Sequence, residues 1–190
     1  MEDITQNNVI DKRELGENVH SQIIQWTENC DTKASITIAF IGIFASILFT
    51  SDYILYSIQK LITPILLYWK NSNGNFCVIS LFIFLFLGLS LFFLGWTILL
   101  LFNVLKGKTI CSEDSLIFFG KIKDHSFDEY YNKIKEATDE SLLLDRFRQI
   151  YICSQRCNEK FISYNKAIIK AKWGILFLCL FMINLFIYNA

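Results

Sequence analysis

Seven side chains between the second and third apolar stretches of the chain have the chemistry needed to hold a nucleotide. Aromatic rings stack on planar bases, and arginine or lysine pairs with phosphate. The aromatic and then the cationic candidates are Phe118, Phe119, Tyr130, Tyr151, Arg146, Arg148 and Lys160. Aromatic residues at such positions also fill helical cores, so a packed bundle without a ligand is an open alternative.

A second group of polar and aromatic residues precedes the first apolar stretch. The string WTENCDTKAS contains Trp26, Asp31, Lys33 and Ser35, and no charge follows until Asp52. A charge deep in lipid is costly, so Asp31 and Lys33 are expected to mark a membrane threshold. We call Trp26, Asp31, Lys33 and Ser35 the threshold motif.

Asp31 and Lys33 differ by two positions on a helix and therefore cannot pair well with each other. The expected partner of Asp31 is a basic residue of the last helix, such as Lys166 or Lys170. One interpretation is a pair of solvated charges with little energetic value. The other is a latch that couples the region outside the membrane to the spans.

The cysteines form no metal or redox signature. Cys153 and Cys157 share a helix face, but only His20 and His125 can supply imidazole ligands, and the chain contains no CxxC. Glycine-rich phosphate loops, HExxH and Ser/His/Asp arrangements are also missing from the sequence. We therefore expect no metal, no cofactor and no enzymatic activity.

Three uncharged stretches, 34–51, 71–105 and 173–190, are long enough to cross a bilayer. About 18 helical residues reach roughly 27 Å, close to the hydrocarbon thickness. The hydrophobic content of 53% is too high for an ordinary soluble domain. Lysines are concentrated beside the span ends that share one side, which places the N-terminus and residues 106–172 in the cytoplasm and the C-terminus outside.

These patterns predict an all-α integral membrane protein with three transmembrane helices. Long extensions of the first and third spans are expected to form a cytoplasmic helical bundle. The predicted segments are a cytoplasmic N-terminal helix (1–33), transmembrane helix 1 (34–56), an extracytoplasmic amphipathic loop (57–75), transmembrane helix 2 (76–104), a cytoplasmic signal-sensing region (105–170) and transmembrane helix 3 (171–190). Pro64 is expected to break or kink the amphipathic segment, and the alternative is that the first span overruns into Tyr56.

Local signals add detail to the region between the second and third spans. Ser126 and Glu129 have the spacing of a capping box, and SLIFFG (115–120) is expected to be short and either extended or buried. Apolar residues with one polar exception then recur every three or four positions. They are Leu143, Phe147, Ile150, Ser154, Cys157, Phe161, Tyr164 and Ile168. This heptad seam predicts a long helix that runs into the third span.

Small residues line one side of the first span. Ala39, Gly42, Ser46 and Thr50 fall on one helix face. Small residues let helices approach closely, and hydroxyl groups can line a wet path in an oligomer. The stripe is therefore predicted to be a packing face or a pore lining in a homo-oligomer.

The order of these elements resembles the transmembrane effectors of Pycsar anti-phage defence. WTENCDTKAS precedes the first span, SLIFFG and DEYY follow the second, and QIYICSQRCNEKF precedes the third. The resemblance covers nearly the whole chain from Trp26 to Lys172. The matching positions are Trp26, Asp31, Lys33, Ala34, Ser35, Phe119, Gly120, Tyr130, Gln149, Tyr151, Ser154 and Lys160. Cys30 stands where the family more usually has alanine.

This resemblance implies a partner cyclase that makes cyclic CMP or cyclic UMP during infection. The effector is expected to answer that signal by impairing the inner membrane, which causes abortive infection. The implied partners are the bilayer, further copies of the chain and the pyrimidine nucleotide cyclase, with no nucleic-acid polymer. The alternatives are an effector for a cyclic oligonucleotide and a ligand-independent channel subunit or scaffold.

Overall fold

The structure, a computed structural model, describes residues 11–71, 78–107 and 115–189. These residues form six helices and no strand, which confirms the all-α prediction for the described part of the chain. The helices are α1 (Lys12–Thr50), α2 (Asp52–Asn71), α3 (Val78–Leu105), α4 (Phe119–Ile122), α5 (Phe127–Glu136) and α6 (Asp139–Asn189). Three of them, α1, α3 and α6, are long and apolar enough to cross a membrane.

The first helix begins after a capping residue and ends earlier than the predicted span. The Asp11 carboxylate accepts a hydrogen bond from the Arg13 N–H at 2.9 Å, which satisfies one of the free donors at the helix start. At the other end α1 stops at Thr50, and α2 begins at Asp52. The structure therefore assigns Tyr56 to a second helix, and the alternative that the first helix continues through it is wrong.

The segment after the first helix is itself helical. The predicted break at Pro64 does not occur, because α2 continues through this residue to Asn71. Ile54, Ser57 and Leu61 are buried at spacings of three and four residues, as expected for an amphipathic helix. Residues 72–75 of the predicted loop lie outside the described residues, and the boundaries assigned to the membrane segments remain predictions.

The chain divides into two compact units. Unit 1 comprises residues 1–31 and 106–161, and unit 2 comprises residues 32–105 and 162–190. Helices α1 and α6 contribute residues to both. Each unit has its own hydrophobic cluster.

In unit 2, α2, α3 and α6 pack together around Leu61, Ile83, Phe181 and Leu185. Polar contacts between helices add to this core. The Asn189 amide donates to Ser57 Oγ at 2.8 Å and ties the end of α6 to α2. Such side-chain hydrogen bonds are typical of helix packing where water is scarce.

In unit 1, α1 and α6 run parallel along the predicted heptad seam. Ile23 of α1 packs with Ile150 and Cys157 of α6, and Phe161 lies beside this cluster. Gly16 faces α6, where an added methyl group would make ordinary van der Waals contact at 3.7 Å with the Ile150 and Phe147 side chains. The burial of Ile150 and Cys157 confirms the apolar face that the spacing indicated.

The segment 115–120 contains a buried residue and an extended residue, as predicted, and also the start of a helix. Ser115 is buried, and Phe118 has extended backbone angles. Helix α4 then begins at Phe119, whose side chain is exposed. The last two residues of SLIFFG, Phe119 and Gly120, therefore begin a helical turn.

The predicted capping box at the start of α5 is present. Ser126 Oγ accepts from the Glu129 N–H, and the Glu129 carboxylate accepts from the Ser126 N–H at 3.0 Å. The hydrogen bond from the Ser126 backbone lowers the pKa of Glu129 below 4.5. A lowered pKa in the folded state stabilises α5 above the unfolded-state pKa, and this contribution is lost as the pH falls through the folded-state pKa.

Replacement of Ser126 by alanine tests this cap. We expect Ser126→Ala to destabilise α5 by about 1 kcal/mol, because the Glu129 N–H at the helix start loses its side-chain acceptor. Hydrogen exchange at residues 127–131 should accelerate at neutral pH. Ser141→Ala, within the first turn of α6, is the matched serine control and should leave exchange in α5 unchanged. Unaltered exchange in the Ser126 variant would show that the cap contributes nothing.

Candidate functional site

A single carboxylate organises the chain that leads into α4. Asp145 Oδ2 accepts hydrogen bonds from Ser115 Oγ at 2.9 Å, the Leu116 N–H at 2.9 Å and the Ile117 N–H at 3.2 Å. Charge-assisted hydrogen bonds of this kind are stronger than those between neutral groups. Asp145 therefore fixes the loop to α6.

Ser115 connects this carboxylate to two further elements. Its buried hydroxyl accepts from the Phe118 N–H at 3.0 Å and from Gln149 Nε2 at 3.1 Å. The Tyr130 hydroxyl of α5 donates to the Leu116 carbonyl oxygen at 3.1 Å. The loop, α5 and α6 are thus joined by one hydrogen-bond network, and we call Ser115, Tyr130, Asp145 and Gln149 the loop anchor.

An open cleft of about 290 Å³ lies beside the loop anchor. Its lining comes from the loop, from α5 and from the start of α6. Most of these residues are polar, namely Ser115, His125, Lys133, Glu136 and Ser141, and the apolar ones are Leu116 and Ala137. Lys133 Nζ lies 3.4 Å from His125 Nε2.

The structure places the predicted aromatic nucleotide-binding residues around α4 and on α6, outside the lining of this cleft. Phe118 is half-buried, and its ring covers Gly120, where an added methyl group would lie 2.5 Å from it. Phe119 and Tyr151 are exposed, whereas Tyr130 belongs to the loop anchor. The seven predicted residues are therefore not brought together into one pocket, and their role in binding stays a prediction.

Two of the predicted cationic residues are held by carboxylates of α1. Arg146 Nη1 lies 2.6 Å from Glu17 Oε1, and Lys160 Nζ lies 2.6 and 2.7 Å from the two Asp31 oxygens. Arg148 is exposed on the same helix. A phosphate that binds Arg146 or Lys160 would compete with these carboxylates.

The partner of Asp31 is a basic residue of the last helix, as expected. The residue is Lys160 rather than Lys166 or Lys170, which were the two examples named. The side chain of Lys160 is 20% exposed and that of Asp31 is 36% exposed. Of the remaining threshold motif, Trp26, Lys33 and Ser35 are exposed.

The two ion pairs follow the heptad repeat. Each pair joins residues 129 positions apart, and Asp31–Lys160 lies two heptads beyond Glu17–Arg146 on both helices. Flanking charges in a parallel coiled coil set the register in this way. The Glu17–Arg146 pair is the more exposed of the two, with 65% of the Glu17 side chain and 37% of the Arg146 side chain accessible to solvent. The less exposed pair is thus the one that contains Asp31 of the threshold motif.

The predicted small-residue stripe has no packing contact at its centre among the described residues. Ala39, Gly42, Ser46 and Thr50 are all exposed on α1, and nothing lies within 4 Å of a methyl group added at Gly42. Thr50 Oγ1 donates to the Ser46 carbonyl oxygen at 2.7 Å within the same helix. The choice between pore and packing face remains a prediction.

Sequence reasoning missed Asp145 of the loop anchor and most of the residues that line the cleft, whereas Tyr130 and Gln149 were among the positions that match the Pycsar effectors. Asp145 and Gln149 are one helical turn apart, and Ser115 opens the SLIFFG string. An acidic residue on the same face as a glutamine was a usable signal, but the donors that it binds are backbone groups of a distant loop. His125 and Lys133 were missed because eight residues separate them across the start of α5.

Three of the cysteines lie in or near the core of the protein. Cys30 and Cys157 are buried, and Cys153 lies beside the Ile23 cluster of unit 1. Burial raises the pKa of the Cys153 thiol. Within residues 11–71, 78–107 and 115–189, no three His, Cys, Asp or Glu side chains are grouped closely enough to hold a metal ion.

Replacement of Asp145 tests the loop anchor. We expect Asp145→Asn to lower the free energy of unfolding by about 2–3 kcal/mol, because an amide cannot accept from three donors as a carboxylate does. Hydrogen exchange at residues 116–118 should accelerate most. Asp139→Asn is the matched control, since its side chain is 86% exposed and pairs with Arg13 at the surface. Equal stability losses in the two variants would contradict the assigned role of Asp145.

The sequence matches known proteins over most of its length. The model of the Pycsar effector protein domain, PycTM, matches residues 15–188. The Pycsar effector protein GmPycTM of Gulbenkiania mobilis is 33% identical over 160 residues, which cover 75% of this chain and 77% of that protein. No solved structure matches the chain significantly. The matched region includes both helices of the ion-paired seam, the loop anchor and the three apolar helices, and the chain belongs to the family of Pycsar transmembrane effectors.

Proposed function

We propose that this protein is an anti-phage effector that impairs the integrity of the inner membrane when a partner cyclase produces cyclic CMP or cyclic UMP. Infected cells then die before the phage completes its cycle. Membership of the Pycsar effector family carries this proposal, together with three helices apolar enough to cross a bilayer. The protein acts by binding and rearrangement and catalyses no reaction.

The division of the chain into two units supports separate sensing and membrane roles. Unit 2 contains one acidic residue, Asp52, and is otherwise suited to lipid. Unit 1 carries the cleft beside the loop anchor and the ion pairs Arg13–Asp139, Glu17–Arg146 and Asp31–Lys160. The cleft volume of about 290 Å³ is at the lower end of the range for ligand pockets, which favours a mononucleotide over a cyclic oligonucleotide.

The proposed topology follows the distribution of lysines. The N-terminus and unit 1 lie in the cytoplasm, where the nucleotide is made, and the C-terminus lies outside. Several copies assemble through α1, whose exposed face of small residues permits close helix contact.

Leakage of dye from liposomes tests the proposed function. The purified full-length protein is reconstituted in dye-filled vesicles, and cyclic CMP, cyclic UMP, cyclic AMP and cyclic GMP are added separately. We expect release with a cyclic pyrimidine nucleotide and only background release with the purine nucleotides. Isothermal titration with the same four nucleotides reports binding independently of leakage.

Three outcomes would each overturn a different part of the proposal. Release that needs no nucleotide would indicate a constitutive channel. Binding without release would remove the membrane-impairing role. Neither binding nor release with cyclic CMP and cyclic UMP would exclude these signals for this chain.

A further inference from the structure

Helices α3 and α6 of unit 2 have a well-defined antiparallel register. Ser90 Oγ donates to the Gly174 carbonyl oxygen at 3.0 Å, and Thr97 Oγ1 lies 3.4 Å from the Ala167 carbonyl oxygen. The region between these two contacts on α6 contains Lys170. The register therefore brings a lysine of α6 against α3, between Ser90 and Thr97.

Lys170 is held between aromatic rings. Its ammonium nitrogen lies 5.7 Å from the centroid of the Phe93 ring and 5.6 Å from that of Trp96. Cation–π contacts of this length are attractive and become stronger as water is removed. Lys166 lies one turn earlier on α6 and so shares a helix face with Lys170.

An exposed apolar stripe of α3 adjoins this lysine. Phe92, Trp96 and Leu99 follow each other at spacings of four and three residues, and all three are exposed. The Phe92 and Trp96 rings meet edge to face with centroids 5.5 Å apart. An apolar strip suits an acyl chain, and two neighbouring cationic groups suit a headgroup phosphate. Together they have the chemistry of a phospholipid site.

The charge of unit 2 favours an anionic partner. Its sequence holds six lysines, Lys33, Lys60, Lys70, Lys166, Lys170 and Lys172, and one acidic residue, Asp52. Asp52 starts α2, whose next residue, Tyr53, lies 3.5 Å from Asn189 at the far end of α6. The only carboxylate in unit 2 is thus at the opposite end of α6 from Lys166 and Lys170.

We propose that Phe92, Trp96 and Leu99 of α3 and Lys166 and Lys170 of α6 form a binding site for an anionic phospholipid. An acyl chain lies along the three apolar side chains, and the headgroup phosphate meets the two ammonium groups. The aromatic rings restrict Lys170 before the lipid arrives, so less conformational entropy is lost on binding. A soluble phosphate would use the lysines but leave the apolar stripe uncovered. This site is independent of the cyclic nucleotide.

Quenching of tryptophan fluorescence by brominated lipids measures directly whether the site prefers an anionic lipid to a zwitterionic one. Full-length protein carrying Trp26→Phe and Trp69→Phe, so that only Trp96 and Trp173 emit, is placed in phosphatidylcholine vesicles. Brominated phosphatidylglycerol or brominated phosphatidylcholine is then added at equal fractions. We expect phosphatidylglycerol to associate about fivefold more strongly, the gain typical of a single lysine near an anionic surface.

Lysine variants assign that preference to the site. Lys166→Gln with Lys170→Gln should remove it, whereas Lys60→Gln should retain it. Lys60 is a matched control, because its ammonium group lies 5.4 Å from the Tyr188 ring near the other end of α6. Inorganic phosphate, compared with chloride at equal ionic strength, should not displace the lipid.

Each alternative result counts against the site. Equal quenching by the two lipids in the unsubstituted lysine background would overturn the proposal before any lysine variant is needed. If Lys60→Gln also lost the preference for phosphatidylglycerol, that preference would come from the general surface charge and not from the proposed site. Displacement by inorganic phosphate would make the lysines a soluble-anion site rather than a lipid site.

Discussion

Asp31→Asn is expected to reduce nucleotide-dependent dye release strongly while the protein still inserts into membranes. Lys160 Nζ contacts both oxygens of Asp31, and its side chain is only 20% exposed. Removal of the carboxylate leaves a sheltered ammonium group without its counter-ion, which costs more than the loss of an exposed pair. The change does not touch the apolar residues of the spans, so insertion should persist.

The expected size of this effect follows from the burial of the pair. It lies between the 0–1 kcal/mol of exposed pairs and the 3–5 kcal/mol lost when a buried pair is broken. A loss of about 1–2 kcal/mol shifts an equilibrium between two conformations by a factor of roughly 5–30. Dye release should therefore fall by about tenfold if the pair is made in only one of these conformations.

Two controls separate the ion pair from general charge effects. Glu17→Gln removes the corresponding carboxylate two heptads earlier, and since Glu17 is 65% exposed the dye release should hardly change. The exchange Asp31→Lys with Lys160→Asp should restore release at least in part. Alkaline carbonate extraction reports insertion for every variant. Full release by Asp31→Asn would exclude a latch at this pair.

Gly174→Val is expected to disrupt the packing of α3 against α6. A methyl group at this position would lie 2.8 Å from two atoms of the Leu94 side chain and 3.2 Å from the Leu94 backbone nitrogen. Leu94 can move in part, but the backbone nitrogen belongs to the helix itself. Separation of the helices would also lengthen the hydrogen bond from Ser90 Oγ to the Gly174 carbonyl oxygen.

We expect this overpacking to lower the free energy of unfolding by about 2–3 kcal/mol. Unfolding of the purified protein in bicelles measures the loss. Gly95→Val is a matched control, because nothing lies within 4 Å of a methyl group added at Gly95 of α3. Similar stability of the two variants would show that α3 and α6 do not depend on their close approach at Gly174.

The sequence by itself determined the elements of this protein and its family. A run of about 18 uncharged residues can satisfy its backbone only as a helix in lipid, so three apolar helices followed from composition. The spacing of Ser126 and Glu129 and the heptad seam of α6 are local patterns, and the structure confirms both. The ordered strings around the spans were sufficient to indicate the Pycsar effector family.

Local sequence patterns gave a wrong prediction at Pro64, where the tendency of proline to break a helix competes with the burial of an apolar helix face. Proline inside a helix removes one hydrogen bond, which favoured a break at Pro64. The chain nevertheless remains helical from Asp52 to Asn71, with Ile54 and Leu61 on a buried face. Tertiary packing of that face outweighs the local cost of the proline.

Only the tertiary structure decided which distant residues meet. Asp31 pairs with Lys160 rather than Lys166 or Lys170, because the packing of Ile23 against Ile150 and Cys157 fixes the parallel register of α1 and α6. A heptad pattern defines a face but not the offset between two faces, since any shift by whole heptads preserves it. The same reason applies to Asp145, whose partners are backbone groups of a loop that no sequence pattern places beside α6.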